Sequence, residues 1–537
     1  MNCKIIFLAL SLSILTLNSY SVESCPLIPL PQKSQKVSSI FELSINTIVE
    51  FDVELVEHAH FLQKEVLRYE GLTLKTAAFT NNQTNSNRII LKLLTEKKKK
   101  NDIHQVVDES FKIDMDREKV IISASNKTGA FNGMISFLQL VRLAEKKDNR
   151  LLLDCWSIED APHYGWRGLM LDESRHFFGK DKVRQLLDWM ALYKLNKFHW
   201  HLTDAPGWRI EIKQYPRLTY IGGIGNHTNP DTPAQYYTQD DITEIVQYAK
   251  ERYIEIIPEI DMPGHASAAN RAYPEYSGGG SKKFPEFTFN PGKEEVYAYL
   301  TNILREVDVL FPSQIIHLGG DEVHFGNEKW KTDENVQSLM RRENLKDLKD
   351  VEHYFFKRMA DSLISINNKV AAWDEVAESD LSTENTIVFY WRNRFPEQLQ
   401  KSIDNGFPVV LCPNFPLYLD YRQDTLLNVG HHPTIINTYK DIYHFSPFNL
   451  PVKYKNDTKI LGIQANIWTE RIMTEDRLDF QTFPRIAALA ETAWNNQKNK
   501  ELQQFEDRMR LHLLLYKKSG IYYFNPFEPQ KVCEPVK

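Results

Sequence analysis

Residues 181–204, DKVRQLLDWMALYKLNKFHWHLTD, combine a helical pattern and a strand pattern in one stretch. Apolar residues recur every three to four positions over Asp181–Tyr193, which predicts an amphipathic helix. Lys197–His201 is a short apolar run of the kind that forms a buried strand, and it leads directly to Asp204. The stretch therefore reads as one helix followed by one strand, with a polar side chain just past the carboxyl end of the strand.

The same alternation recurs along the chain after Pro162. Three further helices are predicted at Asp240–Arg252, Glu294–Leu310 and Val351–Ile364. The predicted strands are Gly168–Leu171, Lys197–His201, Ile254–Pro258, Ile315–Leu318, Val370–Trp373, Thr386–Tyr390, Val409–Cys412 and Leu461–Ala465. Eight strands and intervening helices predict an α/β fold, a (β/α)8 TIM barrel with insertions, and the sequence lacks the glycine motifs of nucleotide-binding open sheets.

The chain before the barrel has a different pattern. Val120–Ser125 is rich in β-branched residues and predicts a strand, and Gly129–Val141 has helical periodicity. We therefore predict a small α+β domain over residues 22–160 and the barrel catalytic domain over residues 161–537.

The amino terminus predicts a secretory signal peptide over residues 1–21. Lys4 precedes an apolar run of about a dozen residues, which is too short to span a bilayer, and small residues follow at Ser19 and Ser21. No later run approaches the length of a membrane span, so stable membrane insertion is not expected. The secretory pathway is the predicted destination, as a lysosomal or a secreted protein.

Charge and cysteine content narrow the class further. The chain has 65 basic and 71 acidic side chains and a net charge of -6, so it lacks the excess of basic residues that indicates nucleic-acid binding. Cys412 lies in an apolar strand and should be a free buried thiol, so at most one disulfide is expected, with Cys25 and Cys533 as the suggested pair. Four sequons predict N-glycosylation, at Asn82, Asn126, Asn226 and Asn456.

Polar or aromatic residues follow nearly every predicted barrel strand. They are Asp172, Arg175, His199, His201, Asp204, Glu259, Asp261, His265, Asp321, Glu322, Trp373, Trp391, Tyr418, Asp420, Trp468 and Glu470. Active sites of TIM barrels lie at this end of the strands. Carboxylates and an arginine can bind vicinal hydroxyls, and indole faces pack on the C–H faces of a pyranose, so the rim is typical of a sugar pocket.

The adjacent carboxylates of Asp321 and Glu322 pose a chemical question. Cleaving a glycosidic bond needs an acid beside the leaving oxygen and a group that stabilises the anomeric carbon. Consecutive strand residues start toward opposite faces, so this pair is not expected to act as a protein acid plus a protein nucleophile.

Several motifs occur in the order of a known family. They are Trp166–His176 (WRGLMLDESRH), His199–Asp204 (HWHLTD), Pro258–His265 (PEIDMPGH), His317–Val323 (HLGGDEV) and Ala372–Glu375 (AWDE). With these motifs the chain resembles family 20 glycoside hydrolases, specifically the eukaryotic lysosomal type of β-N-acetylhexosaminidase. The resemblance covers essentially the whole mature chain.

The resemblance implies a nucleophile within the substrate, the 2-acetamido oxygen, and an oxazolinium intermediate. It implies that Glu322 is the general acid and base, that Asp321 orients the acetamide and that Tyr418 donates to its oxygen. The remaining implied substrate contacts are the acetyl box of Trp373, Trp391 and Trp468, the hydroxyl ligands Arg175, Glu470 and Asp420, and the supporting residues Asp204 and His265.

Further expectations follow from the resemblance. The substrate is a glycan or glycoconjugate with a terminal β-linked GlcNAc or GalNAc, no cofactor or metal is needed, and a homodimer is common in the family. The carboxylate of Asp420 predicts that neutral sugars are preferred over 6-sulfated ones. Asp374 and Glu375, next to Trp373, are expected to perturb their loop.

Two alternatives are kept beside this interpretation. His199 and His201 form an H-x-H pair that could ligate a metal with Asp204, His265, Asp321 or His324, as in a metal-dependent barrel hydrolase. A catalytically inactive sugar-binding protein is the other alternative, although it would be expected to have lost Glu322.

Overall fold

A computed structural model describes residues 24–80, 87–94, 108–432, 434–453, 459–495 and 500–535. The predicted signal peptide and the sequons at Asn82 and Asn456 lie outside the described residues. None of the helices in the described part of the chain combines the length and the hydropathy needed to cross a bilayer.

The amino-terminal domain is a mixed sheet with two helices. Its strands are β1 Lys33–Leu43, β2 Ile48–Phe51, β3 Lys75–Ala78, β4 Arg88–Leu93, β5 Phe111–Met115, β6 Lys119–Ala124, β7 Glu145–Lys147 and β8 Arg150–Asp160, and its helices are α1 Val56–Glu70 and α2 Lys127–Leu143. The strand order is β1-β8-β5-β6-β4-β2-β3, and β7 pairs with β8. The predicted strand at residues 120–125 and helix at residues 129–141 are both confirmed as parts of β6 and α2.

Helix α2 is the core helix of this domain. The Asn126 side chain caps its first turn by accepting a hydrogen bond from the Gly129 amide at 3.0 Å. Gly133 allows close packing on the sheet, because a Cβ there would lie 2.8 Å from the Ile122 side chain. The helix is consequently buried from Gly129 to Arg142 and joins the sheet to the barrel.

The second domain alternates strands and helices around a closed barrel. Its elements are β9 Trp166–Asp172, α3 Lys180–Leu192, β10 Lys197–Thr203, α4 Arg217–Tyr220, α5 Gln239–Lys250, β11 Glu255–Ile260, α6 Ser267–Ala272, β12 Ser277–Gly279, β13 Thr288–Phe289, α7 Glu294–Leu310, β14 Ile315–His317, α8 Glu334–Arg342, α9 Leu348–Ser365, β15 Lys369–Trp373, β16 Thr386–Tyr390, α10 Pro396–Asp404, β17 Val409–Leu411, α11 Asn414–Leu417, α12 Tyr439–His444, β18 Ile460–Ile467, α13 Glu475–Thr482, α14 Arg485–Trp494 and α15 Leu502–Lys518.

Eight parallel strands close the barrel in the order β10-β11-β14-β15-β16-β17-β18-β9. The closing pair is β18 with β9, in register from Gly462 opposite Trp166 to Ile467 opposite Leu171. Each strand predicted from the sequence is present, with both ends within two residues of the prediction. The predicted (β/α)8 barrel preceded by a small α+β domain is therefore confirmed.

A buried ion pair joins the two domains. Arg167, at the amino end of β9, donates to Glu109 of the first domain through Nη2 at 2.6 Å, and both side chains are nearly inaccessible. Gln139 of α2 binds the barrel as well, since its amide donates to the Leu192 carbonyl. These contacts lie at the opposite end of β9 from Asp172, which leaves the carboxyl ends of the strands free to form a site.

The cysteines and sequons give mixed outcomes. Cys412 is a buried free thiol, as predicted. The suggested pairing of Cys25 with Cys533 is wrong: Cys25 lies in the core, whereas Cys533 is an exposed free thiol near the chain end. The amide nitrogen of Asn126 donates to the Asp108 carbonyl, and that of Asn226 donates to Thr232 Oγ1 at 3.1 Å.

Candidate active site

The strand ends bring together all eleven residues predicted to act in catalysis or substrate binding. Every barrel strand contributes at least one: Arg175 after β9, Asp204 after β10, His265 after β11, Asp321 and Glu322 after β14, Trp373 on β15, Trp391 after β16, Tyr418 and Asp420 after β17, and Trp468 and Glu470 after β18. They form one connected set of ion pairs and ring contacts at the carboxyl end of the barrel.

The Asp321–Glu322 pair lies beyond its strand, on a turned segment. Strand β14 ends at His317, and Gly319 and Gly320 then adopt φ of 66° and 91°. A Cβ at Gly319 would lie 1.9 Å from Asp261 Oδ1, so only glycine fits there. Glu322 itself has φ 53° and ψ 18°, in the left-handed region that non-glycine residues rarely occupy. The expectation that the two carboxylates point to opposite faces is therefore wrong, because strand alternation has ended before they begin.

His265 touches both carboxylates and confirms that they face one pocket. Its Nε2 lies 3.6 Å from Asp321 Oδ2 and 3.7 Å from Glu322 Oε2, while its Nδ1 lies 3.0 Å from Asp204 Oδ1. Burial alone would lower the pKa of His265, but the carboxylates of Asp204 and Asp321 outweigh burial and hold it well above its usual value. His265 is thus a cation at neutral pH and binds the pair from one side.

The two carboxylates differ in their surroundings. The side chain of Asp321 is 12% exposed and that of Glu322 is 32% exposed. Burial, with the charge of Glu322 beside it, raises the pKa of Asp321 to about 7, although His265 pulls in the opposite direction. Asp321 therefore lies inside the pocket and Glu322 at its mouth, and the pair holds a proton up to near-neutral pH.

Arg175 occupies the opposite wall. Its Nη2 lies 2.6 Å from Asp204 Oδ2 and 4.0 Å from Glu470 Oε1, and its guanidinium stacks 4.9 Å from the centre of the Trp468 ring. Burial disfavours the charge, yet Asp204 and Asp172 raise the pKa of Arg175 well above its usual range. The guanidinium is a fixed cation that can bind hydroxyl groups with its remaining N–H donors.

Four aromatic side chains at the carboxyl ends of β15 to β18 form a box. The Trp373 and Trp468 rings are 5.9 Å apart, Tyr418 lies 6.2 Å from Trp468, and Trp391 stacks on Tyr418 at 6.4 Å with 10° between the planes. Trp373 is fixed because its Nε1 donates to Glu259 Oε1 at 2.9 Å. Such a box suits a small apolar group, with the Tyr418 hydroxyl as its polar contact.

Asp374 and Glu375 fasten the box, contrary to the expectation that they perturb it. Asp374 Oδ2 accepts from the Trp391 and Arg392 amides at 3.1 and 3.2 Å, and Glu375 Oε2 accepts from Trp391 Nε1 at 3.2 Å. The Arg392 guanidinium donates to Asp374 Oδ1 at 2.6 Å and lies 3.3 Å from Glu375 Oε1. The acidic pair is therefore compensated by an arginine and holds Trp391 in place.

Asp420 and Glu470 form the far end of the pocket. Asp420 is 1% exposed, and both of its carboxylate oxygens are without a hydrogen-bond partner among the described residues. Burial, with Glu470 as a neighbour, raises the pKa of Asp420 well above its usual value. His431 Nδ1 lies 3.7 Å from Asp420 Oδ2 and 4.0 Å from Glu470 Oε2. This end can accept hydrogen bonds from hydroxyl groups that a ligand brings.

The H-x-H pair lies under the pocket and shares one carboxylate. His199 Nε2 and His201 Nδ1 lie 2.9 and 2.6 Å from Glu259 Oε2, and His317 Nδ1 lies 3.1 Å from Glu259 Oε1. Ligand atoms of the set His199, Glu259 and His317 are within 4.8 Å of one another, as are those of two sets that include Asp261. His324 belongs to none of these three sets. The Glu259 carboxylate thus hydrogen-bonds to His201 and lies within ion-pairing distance of His199 and His317.

Two residues with contacts in the site were not predicted from the sequence. Glu375 was not seen as a partner of Trp391, and His431 was not seen beside Asp420 and Glu470. The Trp-Arg sequence at Trp391 and Arg392 follows the acidic pair Asp374–Glu375 in the chain. This order could have suggested the contact between Glu375 and Trp391. No local pattern indicates the second, because His431 lies on a loop.

Family models match both domains. The model described as glycosyl hydrolase family 20, catalytic domain, matches residues 164–497, and that described as glycosyl hydrolase family 20, domain 2, matches residues 24–161.

Curated relatives with similar sequences share one name. A beta-hexosaminidase of Porphyromonas gingivalis is 33% identical over 438 residues, which are 79% of this chain and 55% of that protein. Beta-hexosaminidase subunit A2 of Dictyostelium discoideum is 30% identical over 502 residues, which are 91% of this chain and 87% of that protein. This chain spans 64% of a further relative, from Vibrio furnissii, so part of each bacterial protein has no counterpart here.

Solved structures agree with the sequence comparison. A GH20 exo beta-N-acetylglucosaminidase from Vibrio harveyi, in complex with N-acetylglucosamine, superposes with a TM-score of 0.82 at 29% identity, covering 94% of this chain and 79% of that one. A GH20 beta-N-acetylhexosaminidase from Streptomyces coelicolor gives a TM-score of 0.80 at 27% identity, covering 95% and 98%.

Proposed function

This chain belongs to glycosyl hydrolase family 20, and on that premise we propose that it is a retaining exo-β-N-acetylhexosaminidase. It removes terminal, non-reducing β-linked GlcNAc or GalNAc from glycans and glycoconjugates. The observation that carries the proposal is the contact of one cationic histidine, His265, with two adjacent carboxylates beside an aromatic box.

The distribution of charges favours a nucleophile brought by the substrate. Asp321 is the more buried of the two carboxylates and Glu322 the more exposed, so a sugar whose acetyl methyl lies among the tryptophans would place its acetamide N–H near Asp321 and its leaving oxygen near Glu322. The box thereby holds the acetamide oxygen close to the anomeric carbon, which removes much of the entropic cost of attack.

In the first step the acetamide oxygen bonds to the anomeric carbon as the bond from that carbon to the leaving oxygen breaks. Glu322 donates its proton to the leaving oxygen, and Tyr418 donates a hydrogen bond to the acetamide oxygen before attack. The resulting oxazolinium carries positive charge on its nitrogen, which Asp321 stabilises by accepting the N–H hydrogen bond.

In the second step water completes the reaction. The Glu322 carboxylate takes a proton from a water molecule, and the water oxygen bonds to the anomeric carbon on the face that the leaving group vacated. The bond to the acetamide oxygen breaks, the acetamide is restored, and Glu322 is again protonated. Two inversions at one carbon give net retention of configuration.

Replacing the acid tests this assignment and the inactive-lectin alternative together. Glu322→Gln keeps the shape and hydrogen bonding of the side chain but cannot donate the catalytic proton, so kcat should fall by roughly 10²- to 10⁴-fold. GlcNAc binding, measured by calorimetry, should remain within a few fold of the parent protein. Glu328→Gln, on the exposed turn that follows, is the matched control and should keep full turnover. Unchanged turnover in Glu322→Gln would contradict the assignment of Glu322 as the catalytic acid.

We also propose that the protein is a glycoprotein of the secretory pathway, of the lysosomal type. The apolar amino-terminal run and the four sequons support this, and Asn226 is half-buried on a loop in which residues 227–231 are exposed. Expression in a eukaryotic cell with and without peptide N-glycosidase treatment tests glycosylation by mass, and colocalisation with lysosomal markers tests the compartment. Sizing with light scattering tests the homodimer proposed from the resemblance; a single-chain mass would contradict it.

A further inference from the structure

A cavity of about 290 Å³ lies where the amino-terminal domain meets the barrel. Its walls include Tyr69 near the end of α1, Arg142 near the end of α2, Trp189 of α3 and Lys518 at the end of α15. We call it the junction cavity. It shares no lining residue with the candidate active site, so whatever it binds is separate from the proposed reaction.

Arg142 is a buried cation in the wall of this cavity. It is 4% exposed, and its guanidinium carbon lies 3.8 Å from the centre of the Tyr69 ring and 5.2 Å from that of Trp189. Its Nη2 donates to Ser519 Oγ at 2.9 Å. Within the described residues it has no carboxylate partner, so aromatic rings and one hydroxyl hold a full positive charge.

The other buried arginines in the described part of the chain have fuller sets of partners. Those that pair with a carboxylate are Arg167, Arg175, Arg252, Arg477 and Arg508. Arg209 and Arg485 each donate to several main-chain carbonyls. Arg142 therefore differs from them, because the partners that this chain supplies match neither its charge nor its number of donors.

Two nitrogens of Arg142 are available to a ligand. Its Nε and Nη1 form no hydrogen bond with the described residues, and unlike the Nε atoms of Arg477 and Arg508 they are not sealed from solvent. Burial lowers the pKa of Arg142, and the groups that raise it, which include Glu65 and Glu70, do not offset that effect. An anion in the cavity would supply the missing partner through charge-assisted hydrogen bonds.

The charged groups around the cavity leave an excess of positive charge. Arg68 Nη1 lies 2.8 Å from Asp188 Oδ2, so these two side chains neutralise each other. Lys518 forms no ion pair within the described part of the chain. The remaining carboxylate is that of Glu70, whose pKa burial raises against the pull of Lys518. Arg142 and Lys518 thus face one carboxylate, and one further negative charge would balance the site.

We propose that the junction cavity binds a small oxyanion, a phosphate or a carboxylate, through Arg142, Lys518 and Ser519. The planar guanidinium suits two oxygens of such a group, and the Ser519 hydroxyl can donate its own proton while it accepts from Arg142. The bound anion would connect α2 of the first domain with the end of α15 in the second.

Titration calorimetry with inorganic phosphate tests this proposal on the full chain, with chloride used to keep the ionic strength constant. The parent protein should bind phosphate saturably. Arg142→Gln should weaken binding by at least about tenfold, because hydrogen bonds to a charged donor are lost. Lys518→Met should weaken it by roughly threefold, since an exposed cation contributes less than a buried one. Acetate in place of phosphate shows whether a carboxylate alone is sufficient: equal affinity would identify a carboxylate site, and weaker binding a phosphate site.

Lys517→Met is the matched control. It removes the same charge from the neighbouring exposed position of α15, outside the cavity lining, and should leave phosphate affinity within about twofold. Arg142→Lys keeps the charge without the planar fork and should recover part of the affinity. Phosphate should also raise the melting temperature of the parent protein more than chloride does, and this difference should shrink in Lys518→Met. Lys518→Met carries the test by itself if Arg142→Gln does not fold.

Three outcomes would overturn the proposal. The first is a parent protein that shows no saturable phosphate binding. The second is binding that Arg142→Gln and Lys518→Met leave unchanged, because the anion would then lie elsewhere on the chain. The third is an equal loss in Lys517→Met and Lys518→Met, which would show a response to overall charge and no defined site.

Discussion

Asp321→Asn tests the electrostatics of the acidic pair most directly. The change removes a charge but keeps nearly the same shape. Burial and the neighbouring Glu322 raise the pKa of Asp321 from its ordinary 3.8 to about 7. At 1.36 kcal/mol per unit, that shift corresponds to roughly 4 kcal/mol of added cost for ionising this carboxyl in the folded protein.

The catalytic form of the pair carries one proton. With both groups protonated the oxazolinium nitrogen has no anionic partner, and with both ionised the leaving oxygen has no acid. The parent protein should therefore lose kcat/KM on the alkaline side near pH 7. Asp321→Asn removes the carboxyl whose pKa burial raises to about 7, so the alkaline limb that it sets near pH 7 should move to lower pH. Loss of the anion should also lower kcat by roughly 10²- to 10³-fold.

Stability gives a second readout with a defined sign. The pKa of Asp321 is raised on folding, so the protonated carboxyl favours the native state below about pH 4, and that contribution is lost as the pH rises through 7. Asp321→Asn removes this dependence. The melting temperature of the variant should fall less between pH 4 and pH 8 than that of the parent protein.

The assay is kcat/KM on a chromogenic β-GlcNAc substrate from pH 3 to pH 9, with thermal unfolding at pH 4 and pH 8. Asp361→Asn, on the exposed face of α9, is the matched control and should leave both profiles unchanged. An alkaline limb that stays in place or moves to higher pH in Asp321→Asn would show that Asp321 does not set it.

Two further outcomes are expected. A 6-sulfated chromogenic GlcNAc should be cleaved with kcat/KM at least about tenfold below that of its neutral parent, because the sulfate would lie at the end of the pocket formed by the buried Asp420 and by Glu470, whose pKa Arg175 holds below its usual value despite burial. Glu470→Gln should narrow the gap, and equal rates would contradict this. Exhaustive chelation with EDTA should leave kcat within about twofold, since the proposed steps use only protein groups and the substrate's own acetamide; a loss restored by added zinc would favour the metal-dependent alternative.

The barrel was predictable because each strand is a local pattern. Runs such as Thr386–Tyr390 and Val409–Leu411 are short and apolar, and the helices between them carry their own periodicity. Since the carboxyl ends of all barrel strands share one rim, the same pattern also placed Arg175, Glu322 and Trp468 near one another. Local spacing was sufficient for these conclusions.

Interactions through space were not predictable in the same way. The orientation of Asp321 and Glu322 depends on the positive φ angles of Gly319 and Gly320, which end the strand alternation early. Asp374 and Glu375 looked repulsive because their partner, Arg392, is eighteen residues away from Asp374. The suggested pairing of Cys25 with Cys533 was wrong for the same reason. The burial of Cys25 depends on packing between elements that are distant in the chain, which local sequence patterns do not reveal.

The left-handed backbone conformation of Glu322 and His265 lowers the stability of the fold at two positions that the proposed activity needs. Both residues have φ 53°, a conformation that costs a side-chain-bearing residue about 1–2 kcal/mol and that glycine adopts freely. Selection for thermal stability alone would therefore favour glycine at the two positions whose side chains the proposed reaction needs. The result would be a stable protein without that activity. Attempts to raise the thermal stability of this protein should therefore leave both positions unchanged and place stabilising substitutions in the outer helices.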